Sequence, residues 1–306
     1  MTTLLYLARE EVRRLLPSVD DQLDLVESTY RALGEGRVEL PPKPGIHPRP
    51  DSFIHAMPAY LRDEDVAALK WVAGYPANKA RGLPYISGLI VLNDPDTGLP
   101  VTVMDGAEIT AARTAAASGV CIRRFAPSGW SEVAILGCGE QGRFHARVLD
   151  SLNPDVLIRA YDPHPERIEQ LEGNVAPASS WEEAVRGADV IVSAGPIVED
   201  PHPPIRPDDL AERVLALPID FDFYFRADAV ESADLFLADD VGQFEYYRSL
   251  GHFQGWPEAD GTVGEDHEPA PRVVCCNLGV GALDAAFAQR VLVAARSNGA
   301  GTELPL

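Results

Sequence analysis

The N-terminal third of the chain alternates between helical and strand-like spacing of its apolar residues. Ser18 is placed to cap a helix that runs to about Leu33, where Gly34 is a stop signal. Strand-like runs separated by turn residues follow at 52–58, 67–75, 86–94 and 99–105. The small-residue run 107–125 then predicts a closely packed helix. Strands joined by short turns indicate an antiparallel or mixed sheet, and therefore a mixed α+β domain.

From Glu132 onward the pattern changes to buried strands that alternate with helices. The first strand, 132–136, leads into a Gly-rich turn and a helix. Later strand-like runs lie at 156–162, 188–195, 213–220 and 233–239. This alternation predicts a parallel, doubly wound sheet, which is the arrangement of a Rossmann domain.

The two patterns place the chain in the α/β class with two domains. Residues 119–276 are predicted to form the Rossmann domain, and residues 1–118 with 277–306 the mixed α+β domain. The last helix is predicted at 277–297. Its apolar stripe, which we interpret as core or dimer surface, consists of Leu283, Phe287 and Val291.

Composition and charge narrow the possible partners. The 306 residues include 26 basic and 47 acidic ones, which gives a formal charge of −21, so neither a nucleic acid nor an anionic membrane is expected to bind. The four cysteines form no CxxC pair and no HExxH spacing occurs, so neither a disulfide framework nor a metal site is predicted. Charged Arg9 and Glu10 interrupt the apolar stretch that a signal peptide needs, and no apolar run reaches membrane-spanning length. We therefore expect a cytoplasmic protein.

Two features of the charge distribution are not apparent from the net charge of −21. The only lysines are Lys43, Lys70 and Lys79, and all three precede the Rossmann half. The acidic, Pro/Gly-rich segment 256–271 is predicted to be a surface loop. For Trp256 in that segment, loop packing is favoured over a place in a pocket.

A glycine pattern follows the first strand of the second half. Gly137, Gly139 and Gly142 match GxGxxG, and Asp162 ends the next strand. In such a loop the first glycine permits a tight turn, the second lets the backbone approach a pyrophosphate, and the third lets helix and strand pack closely. An aspartate there accepts hydrogen bonds from the ribose hydroxyls and repels a 2′-phosphate, so NAD is favoured over NADP. The predicted cofactor-binding residues here are Gly137, Gly139, Glu140, Gln141, Gly142, Asp162 and Ser193. The alternatives are an ordinary Gly-rich turn and a solvated loop carboxylate.

Longer motifs in the first half are more specific. The segments 40–61, 68–106 and 109–120 contain MPAYL, LKWVAGYP, LNDPDTGLP and TAARTAAAS, and they resemble the ornithine cyclodeaminase/mu-crystallin family. The resemblance implies an NAD(P)-dependent enzyme that acts at the Cα of an amino or imino acid bound between its domains. It also implies that two subunits pair through the mixed domain, as a homodimer, so that this domain serves both substrate binding and dimerisation.

The resemblance assigns roles to several cations. Arg113 matches the arginine that holds the substrate carboxylate, and Lys70 matches a lysine near that carboxylate that transfers a proton. Lys43 stands where many relatives carry arginine, so it would bind as a point charge. Thr114 is expected beside the cofactor. The alternatives are a surface position for Arg113, a snorkelling lysine at a sheet edge for Lys70 and a solvated loop charge for Lys43. Lys79 and Arg81 are expected to be solvated.

Other positions match the family less closely. Asp220 corresponds to its catalytic aspartate, but the surrounding sequence, LPIDFDFYF, lacks the family's PGK segment, so Asp222 competes for the role and a structural function is a third option. His55 and Met57 are assigned to the substrate site. His55 stands where the cyclodeaminase has a glutamate that handles the distal amine of ornithine, and a hydrogen-bonded strand histidine is the alternative.

The sequence therefore predicts an NAD-dependent enzyme of the ornithine cyclodeaminase type. Such an enzyme oxidises an amino acid to an imine, forms a ring with loss of ammonia and reduces the product again. An NAD(P)-dependent amino-acid dehydrogenase or ketimine reductase of the same family is the alternative. A non-catalytic, mu-crystallin-like binding protein is the alternative of another class.

Overall fold

The computed structural model describes residues 3–306 of the chain. The strands within these residues are β1 (Thr3–Leu7), β2 (Val38–Glu39), β3 (Gly45–Ile46), β4 (Phe53–Leu61), β5 (Val66–Gly74), β6 (Ile86–Asn93), β7 (Pro100–Asp105), β8 (Glu132–Leu136), β9 (Leu157–Tyr161), β10 (Val175–Pro177), β11 (Val190–Ser193), β12 (Val214–Pro218), β13 (Leu235–Ala238), β14 (Gly261–Thr262), β15 (Arg272–Cys276) and β16 (Thr302–Pro305). The α-helices within them are α1 (Arg9–Leu15), α2 (Val19–Gly34), α3 (Ala107–Phe125), α4 (Glu140–Leu152), α5 (Trp181–Val185), α6 (Ala227–Glu231), α7 (Val241–Ser249) and α8 (Gly281–Asn298).

The chain divides into two compact units. One comprises the chain up to Arg113 and from Gly279 onward, and the other runs from Thr114 to Leu278. The domain limits predicted from the sequence, after residues 118 and 276, lie within a few residues of these boundaries. The binding and dimerisation roles assigned to the two domains stay predictions.

The first unit is built on a mixed sheet. Its strand order is β16-β1-β7-β6-β5-β4-β2, with β3 on β4; β1 and β7 are parallel, and the other pairs are antiparallel. The four predicted strands are confirmed as β4 to β7, and the predicted helices as α2 and α3. Ser18 caps α2 by accepting a hydrogen bond from the Asp21 backbone N–H. The strands β1 and β16 were not predicted, because both are short and β16 is exposed throughout, so neither shows a clear alternation.

One face of this sheet is covered by α8, which packs against β4, β5 and β6. Neighbouring strands place Met57, Lys70, Ile90 and Met104 in one buried row on that face. Gly281, at the start of α8, is pressed against the strand, since a Cβ there would lie 2.9 Å from the Met57 carbonyl oxygen. The sequence thus brings the first turn of α8 directly over Lys70.

The second unit is a parallel sheet in the order β10-β9-β8-β11-β12-β15-β13-β14. Counted from β8, its first five strands follow the order 3-2-1-4-5 of a doubly wound fold, which confirms the predicted Rossmann domain. Ligands of such sheets bind where the order reverses, here between the carboxyl ends of β8 and β11. The strand β15 was not predicted, because its short apolar run between a loop and a helix has no distinguishing period.

The acidic segment 256–271 is exposed over much of its length but is anchored to the second unit. Trp256 and Val263 are buried, and β14 pairs with β13. The Trp256 ring packs on Phe236 and Phe253, with centroids 5.7 and 5.0 Å away, in agreement with the favoured loop packing. In the described part of the chain, no helix is long and apolar enough to cross a membrane.

Candidate functional site

Lys70 is a buried cation in an otherwise apolar row of the first unit. Its side chain is 1% exposed, and its Nζ donates a hydrogen bond to Thr110 Oγ1 at 3.3 Å. Burial, followed by the nearby positive charge of Arg113, lowers the pKa of Lys70 to about 7, against the opposing effect of Asp284. A large neutral fraction near neutral pH is what a proton-accepting lysine requires.

Asp284, on the first turn of α8, lies between two cations. Its Oδ2 is 2.7 Å from Lys70 Nζ, and its Oδ1 accepts a hydrogen bond from Arg113 Nε at 3.2 Å. All three side chains are buried. The sequence did not identify Asp284, because it lies beside the apolar stripe of a helix that was interpreted as core.

The Gly279 backbone contacts both Arg113 and the third cation of the cluster, Lys43. Its φ is +82°, and a Cβ there would lie 2.3 Å from Arg113 Nη1, so the guanidinium packs directly on the backbone. Lys43 Nζ donates to the Gly279 carbonyl oxygen at 3.2 Å. Lys43, Lys70 and Arg113 are therefore brought to one place, as expected of a pocket for a carboxylate.

The charges of this cluster favour an anion. With Lys70 protonated, the formal charge of Lys43, Lys70, Arg113 and Asp284 is +2; with Lys70 neutral, it is +1. Lys79, in contrast, is exposed, and its Nζ lies 5.5 Å from the Tyr85 ring centroid.

His55 and Met57 lie on the same sheet face as Lys70. Met57 pairs directly with Lys70, and His55 pairs with Val72, one inward position further along. The His55 ring stacks on Phe53 with centroids 4.5 Å apart. Both residues are therefore placed next to the cluster, and their contact with substrate stays a prediction.

The glycine loop of the second unit has the geometry that its pattern requires. Gly137 has φ +99°, and a Cβ there would lie 2.4 Å from the Ala194 carbonyl oxygen. A Cβ on Gly142 would lie 2.4 Å from the Gly137 carbonyl oxygen, whereas one on Gly139 would meet nothing within 4 Å. Two glycines thus serve close packing and the middle one faces open space. Glu140 and Gln141 begin α4, and Gln141 Oε1 is buried without a hydrogen-bond partner among residues 3–306. These features fit a dinucleotide whose phosphates lie at the start of α4.

Asp162 follows β9 and is largely buried against the loop. Its Oδ2 accepts from the Cys138 N–H at 2.8 Å, and its Oδ1 accepts from the His164 N–H at 2.8 Å. Arg167 Nη1 lies 3.5 Å from Oδ1. Asp162 therefore shapes the loop itself, and Oδ2, which accepts only the Cys138 N–H within residues 3–306, keeps a second lone pair for a ribose hydroxyl.

Asp220 and Ser193 meet at the carboxyl ends of β12 and β11. Ser193 Oγ donates to Asp220 Oδ1 at 2.6 Å, and the Gly195 N–H donates to Oδ2 at 2.7 Å. Asp220 is 2% exposed, and burial raises its pKa to about 7. Asp222 instead accepts the Phe253 N–H at 2.8 Å, which holds a loop.

Thr114 is buried and follows Arg113 in α3. Its expected place beside the cofactor stays a prediction. Among residues 3–306, no three His, Cys, Asp or Glu side chains are grouped as a metal site needs.

The doubly wound sheet and its glycine loop define a protein of the dinucleotide-binding Rossmann class. The chain belongs to the ornithine cyclodeaminase/mu-crystallin family, whose model matches residues 3–210. The family identified from the sequence motifs is confirmed.

Relatives with several activities resemble this chain. It is 36% identical to the nodulation efficiency protein NfeD of Rhizobium meliloti over 97% of both chains. It is 34% identical to an alanine dehydrogenase of Archaeoglobus fulgidus over 64% of this chain and 61% of that protein. The solved structure of an archaeal alanine dehydrogenase dimer with bound NAD superposes with a TM-score of 0.87 at 26% identity and covers 100% of each chain.

Other family members match smaller parts. An ornithine cyclodeaminase of Brucella abortus is 33% identical over 47% of this chain and 41% of that protein. A ketimine reductase mu-crystallin of Mus musculus is 34% identical over 46% of each. The family therefore includes enzymes that differ in net reaction.

Proposed function

We propose that the protein is an NAD-dependent enzyme that interconverts a small α-amino acid and its imine, with net formation or consumption of NADH. The observation that carries this proposal is the convergence of Lys43, Lys70 and Arg113 on Asp284 and Gly279. A cationic cluster in a buried setting binds a substrate carboxylate, and a lysine with a lowered pKa beside it moves a proton on the adjacent amine.

Each cation has a separate task. The Arg113 guanidinium is planar and permanently charged, so its fork fixes the carboxylate and thereby the position of Cα. Lys43 binds the same substrate carboxylate as a point charge. Neutral Lys70 accepts the proton that the substrate ammonium loses, and protonated Lys70 returns a proton when an imine is reduced. Asp220, with its pKa near 7, is a second group able to exchange a proton.

The second unit supplies the cofactor site. The start of α4 and the loop from Gly137 to Gly142 would hold the pyrophosphate, Asp162 the adenosine ribose, and Ser193 and Thr114 would lie beside the cofactor. When bound, NAD accepts the hydride from Cα, or NADH donates it. The carboxylate of Asp162 disfavours the 2′-phosphate of NADP, and the archaeal alanine dehydrogenase supports the choice, since it was solved with NAD.

Cyclodeamination is the second candidate, favoured by the family motifs. A diamino acid would need an anion at its distal amine. The position that the cyclodeaminase fills with glutamate carries His55 here, and Asp284 is already engaged by Lys70 and Arg113. We therefore place net dehydrogenation or imine reduction first.

An assay with separate readouts decides between the two reactions. The pure protein is incubated with NAD and a panel of amino acids that includes alanine, proline, ornithine and lysine, and NADH and ammonia are measured independently. A dehydrogenase forms NADH stoichiometrically, whereas a cyclodeaminase releases ammonia while its NAD is regenerated. Ammonia without NADH rejects the first proposal in favour of the second.

A binding protein without catalysis would give neither product. In that case, Lys70→Ala would leave the binding of amino and keto acids unchanged in calorimetry. The enzyme proposal predicts turnover in at least one direction and its loss in Lys70→Ala.

We also infer that the protein is a homodimer whose subunits pair through the open face of the first sheet. The support is a set of exposed apolar residues on that face, and the archaeal alanine dehydrogenase was solved as a dimer.

A further inference from the structure

Asp284 is a buried carboxylate that has no role of its own in the proposed reaction. It lies on the first turn of α8, and its two oxygens face different cations, Lys70 at 2.7 Å and Arg113 at 3.2 Å. The placement is built into the fold, because Gly281 lets α8 approach the Met57 carbonyl and Gly279 leaves room for the guanidinium.

The contact with Arg113 uses only one edge of the guanidinium. Nε donates to Asp284 Oδ1, and within residues 3–306 neither Nη nitrogen donates a hydrogen bond. A guanidinium held through Nε keeps its two Nη groups for a bidentate pair with a carboxylate. Asp284 therefore orients Arg113 while the part of the guanidinium that recognises the substrate remains available.

The contact with Lys70 acts on its charge. The charged groups that act on Lys70 are Asp284 from α8, Arg113 from α3 and Lys43 from the segment between β2 and β3. Its neighbours in the sheet are the apolar Met57 of β4 and Ile90 of β6. Of the charged groups, Asp284 carries the negative charge, so it is the group that keeps Lys70 partly protonated near neutral pH.

We propose that Asp284 is a positioning residue that holds the Nε edge of Arg113 with one oxygen and pairs with the Lys70 ammonium through the other. Both cations are thereby kept in place for the substrate carboxylate. This inference deepens the proposed function and rests on it for the identity of the substrate group.

The first test observes Lys70 directly and does not require turnover. With three lysines in the chain, protein labelled with lysine carrying ¹³C at the ε carbon gives three signals, and Lys70→Arg assigns the relevant one. In Asp284→Asn, which keeps the shape but removes the charge, the Lys70 signal is expected to titrate at least about one pH unit lower than in the wild-type protein. In Asp284→Glu the midpoint is expected to return towards the wild-type value.

Glu108→Gln is the matched control. Glu108 is a buried carboxylate of the same unit and is also shared by two cations, Arg9 and Arg13, each 2.6 Å away. The substitution removes a shared carboxylate from the same unit but leaves the charges around Lys70 in place. The Lys70 midpoint is therefore expected to stay at the wild-type value.

The second test separates substrate binding from cofactor binding. Asp284→Ala, which removes the acceptor for Arg113 Nε, is expected to raise KM for the amino acid at least tenfold and to change KM for NAD by less than twofold. If the neutral variants do not fold, Asp284→Glu decides, since a carboxylate displaced by one methylene is expected to raise KM for the amino acid at least threefold.

The outcomes keep the two proposals apart. An unchanged Lys70 midpoint in Asp284→Asn, or an unchanged KM for the amino acid in folded Asp284→Ala or Asp284→Glu, overturns the role of Asp284. A shifted midpoint in a protein that turns over no amino or imino acid retains the pairing and rejects the proposed reaction.

Discussion

The charge of Lys70 gives the proposed reaction a pH dependence with a defined direction. Burial and Arg113 lower its pKa to about 7, and the oxidation uses the neutral amine. Consequently, kcat/KM for oxidation of the amino acid is expected to rise with pH through about 7 and then to level, whereas imine reduction is expected to decline over the same range. Lys70→Met is expected to reduce kcat by at least about 100-fold, the usual contribution of a general base, while NADH fluorescence shows unchanged cofactor binding. A wild-type profile that is flat between pH 6 and 8 would contradict this assignment.

Asp220 predicts a pH dependence of stability. Burial raises its pKa to about 7 from an ordinary 3.8, so the folded protein prefers the protonated carboxyl. The corresponding stability is fully present below the unfolded-state pKa and is lost as pH rises through about 7. Relative to the wild-type protein, Asp220→Asn is therefore expected to gain unfolding free energy between pH 5 and 8, as measured by urea denaturation. A difference that is constant over this range would show that Asp220 does not titrate there.

At the level of elements, the glycines of the turn between β8 and α4 have different roles, one in packing and one in cofactor binding. Gly139→Ala adds a methyl group that meets no protein atom within 4 Å, whereas the same change at Gly142 places Cβ 2.4 Å from the Gly137 carbonyl oxygen. Gly139 is the N-cap residue of α4, and we expect Gly139→Ala to change the free energy of unfolding by no more than about 1 kcal/mol. The same variant is expected to bind NAD at least tenfold more weakly. Gly142→Ala is expected to lower the free energy of unfolding by about 1–3 kcal/mol, as overpacking does. Calorimetric NAD titration and thermal melting distinguish these results, and normal NAD affinity in Gly139→Ala would reject the loop as the pyrophosphate site.

How far the sequence predicts these elements depends on their length and on where their partners lie. The helices α2 and α3 follow from caps and periodicity, which are local properties of the chain. The strand β15 does not, because a run of five residues has too few positions to show a period, and its place between β12 and β13 depends on distant strands.

The candidate site divides in the same way. The family motifs assign Arg113 and Lys70, and the structure brings them together. The role of Asp284 depends on the packing of α8 over β5, which joins residues more than 200 positions apart, and the helix pattern alone shows only an acid beside an apolar stripe. The one sequence signal for a buried acid is indirect: the motifs assign Lys43, Lys70 and Arg113 to one pocket, and buried cations are usually paired with a carboxylate.

For the whole molecule, the two faces of the first sheet have different surroundings. The face with Lys70 is packed under α8. On the opposite face, Trp71 pairs with Leu89 across β5 and β6, and these side chains are 48% and 44% exposed. Tyr6 on β1 and Leu304 on the edge strand β16 are exposed as well. Exposed apolar side chains grouped on one face of a folded sheet mark an interaction surface, and a second copy of the same chain fits the proposed homodimer.

A double variant tests this assembly. Trp71→Arg with Leu89→Arg places two positive charges per subunit at the centre of the face, and in a symmetric dimer these charges meet their copies, so dissociation is expected because the buried like charges repel. Light scattering after gel filtration is expected to give about 66 kDa for the wild-type protein, twice the 33.1 kDa of one chain, and the monomer mass for the variant. Leu250→Arg, at a residue that is 51% exposed in the second unit, is the control and is expected to remain a dimer. Trp71 follows Lys70 in β5 and points to the opposite face of the sheet. The pH at which kcat/KM of the monomeric variant rises therefore shows whether the pKa of Lys70 depends on the dimer interface. A wild-type monomer, or a double variant that keeps the dimer mass, would show that this face does not form the interface.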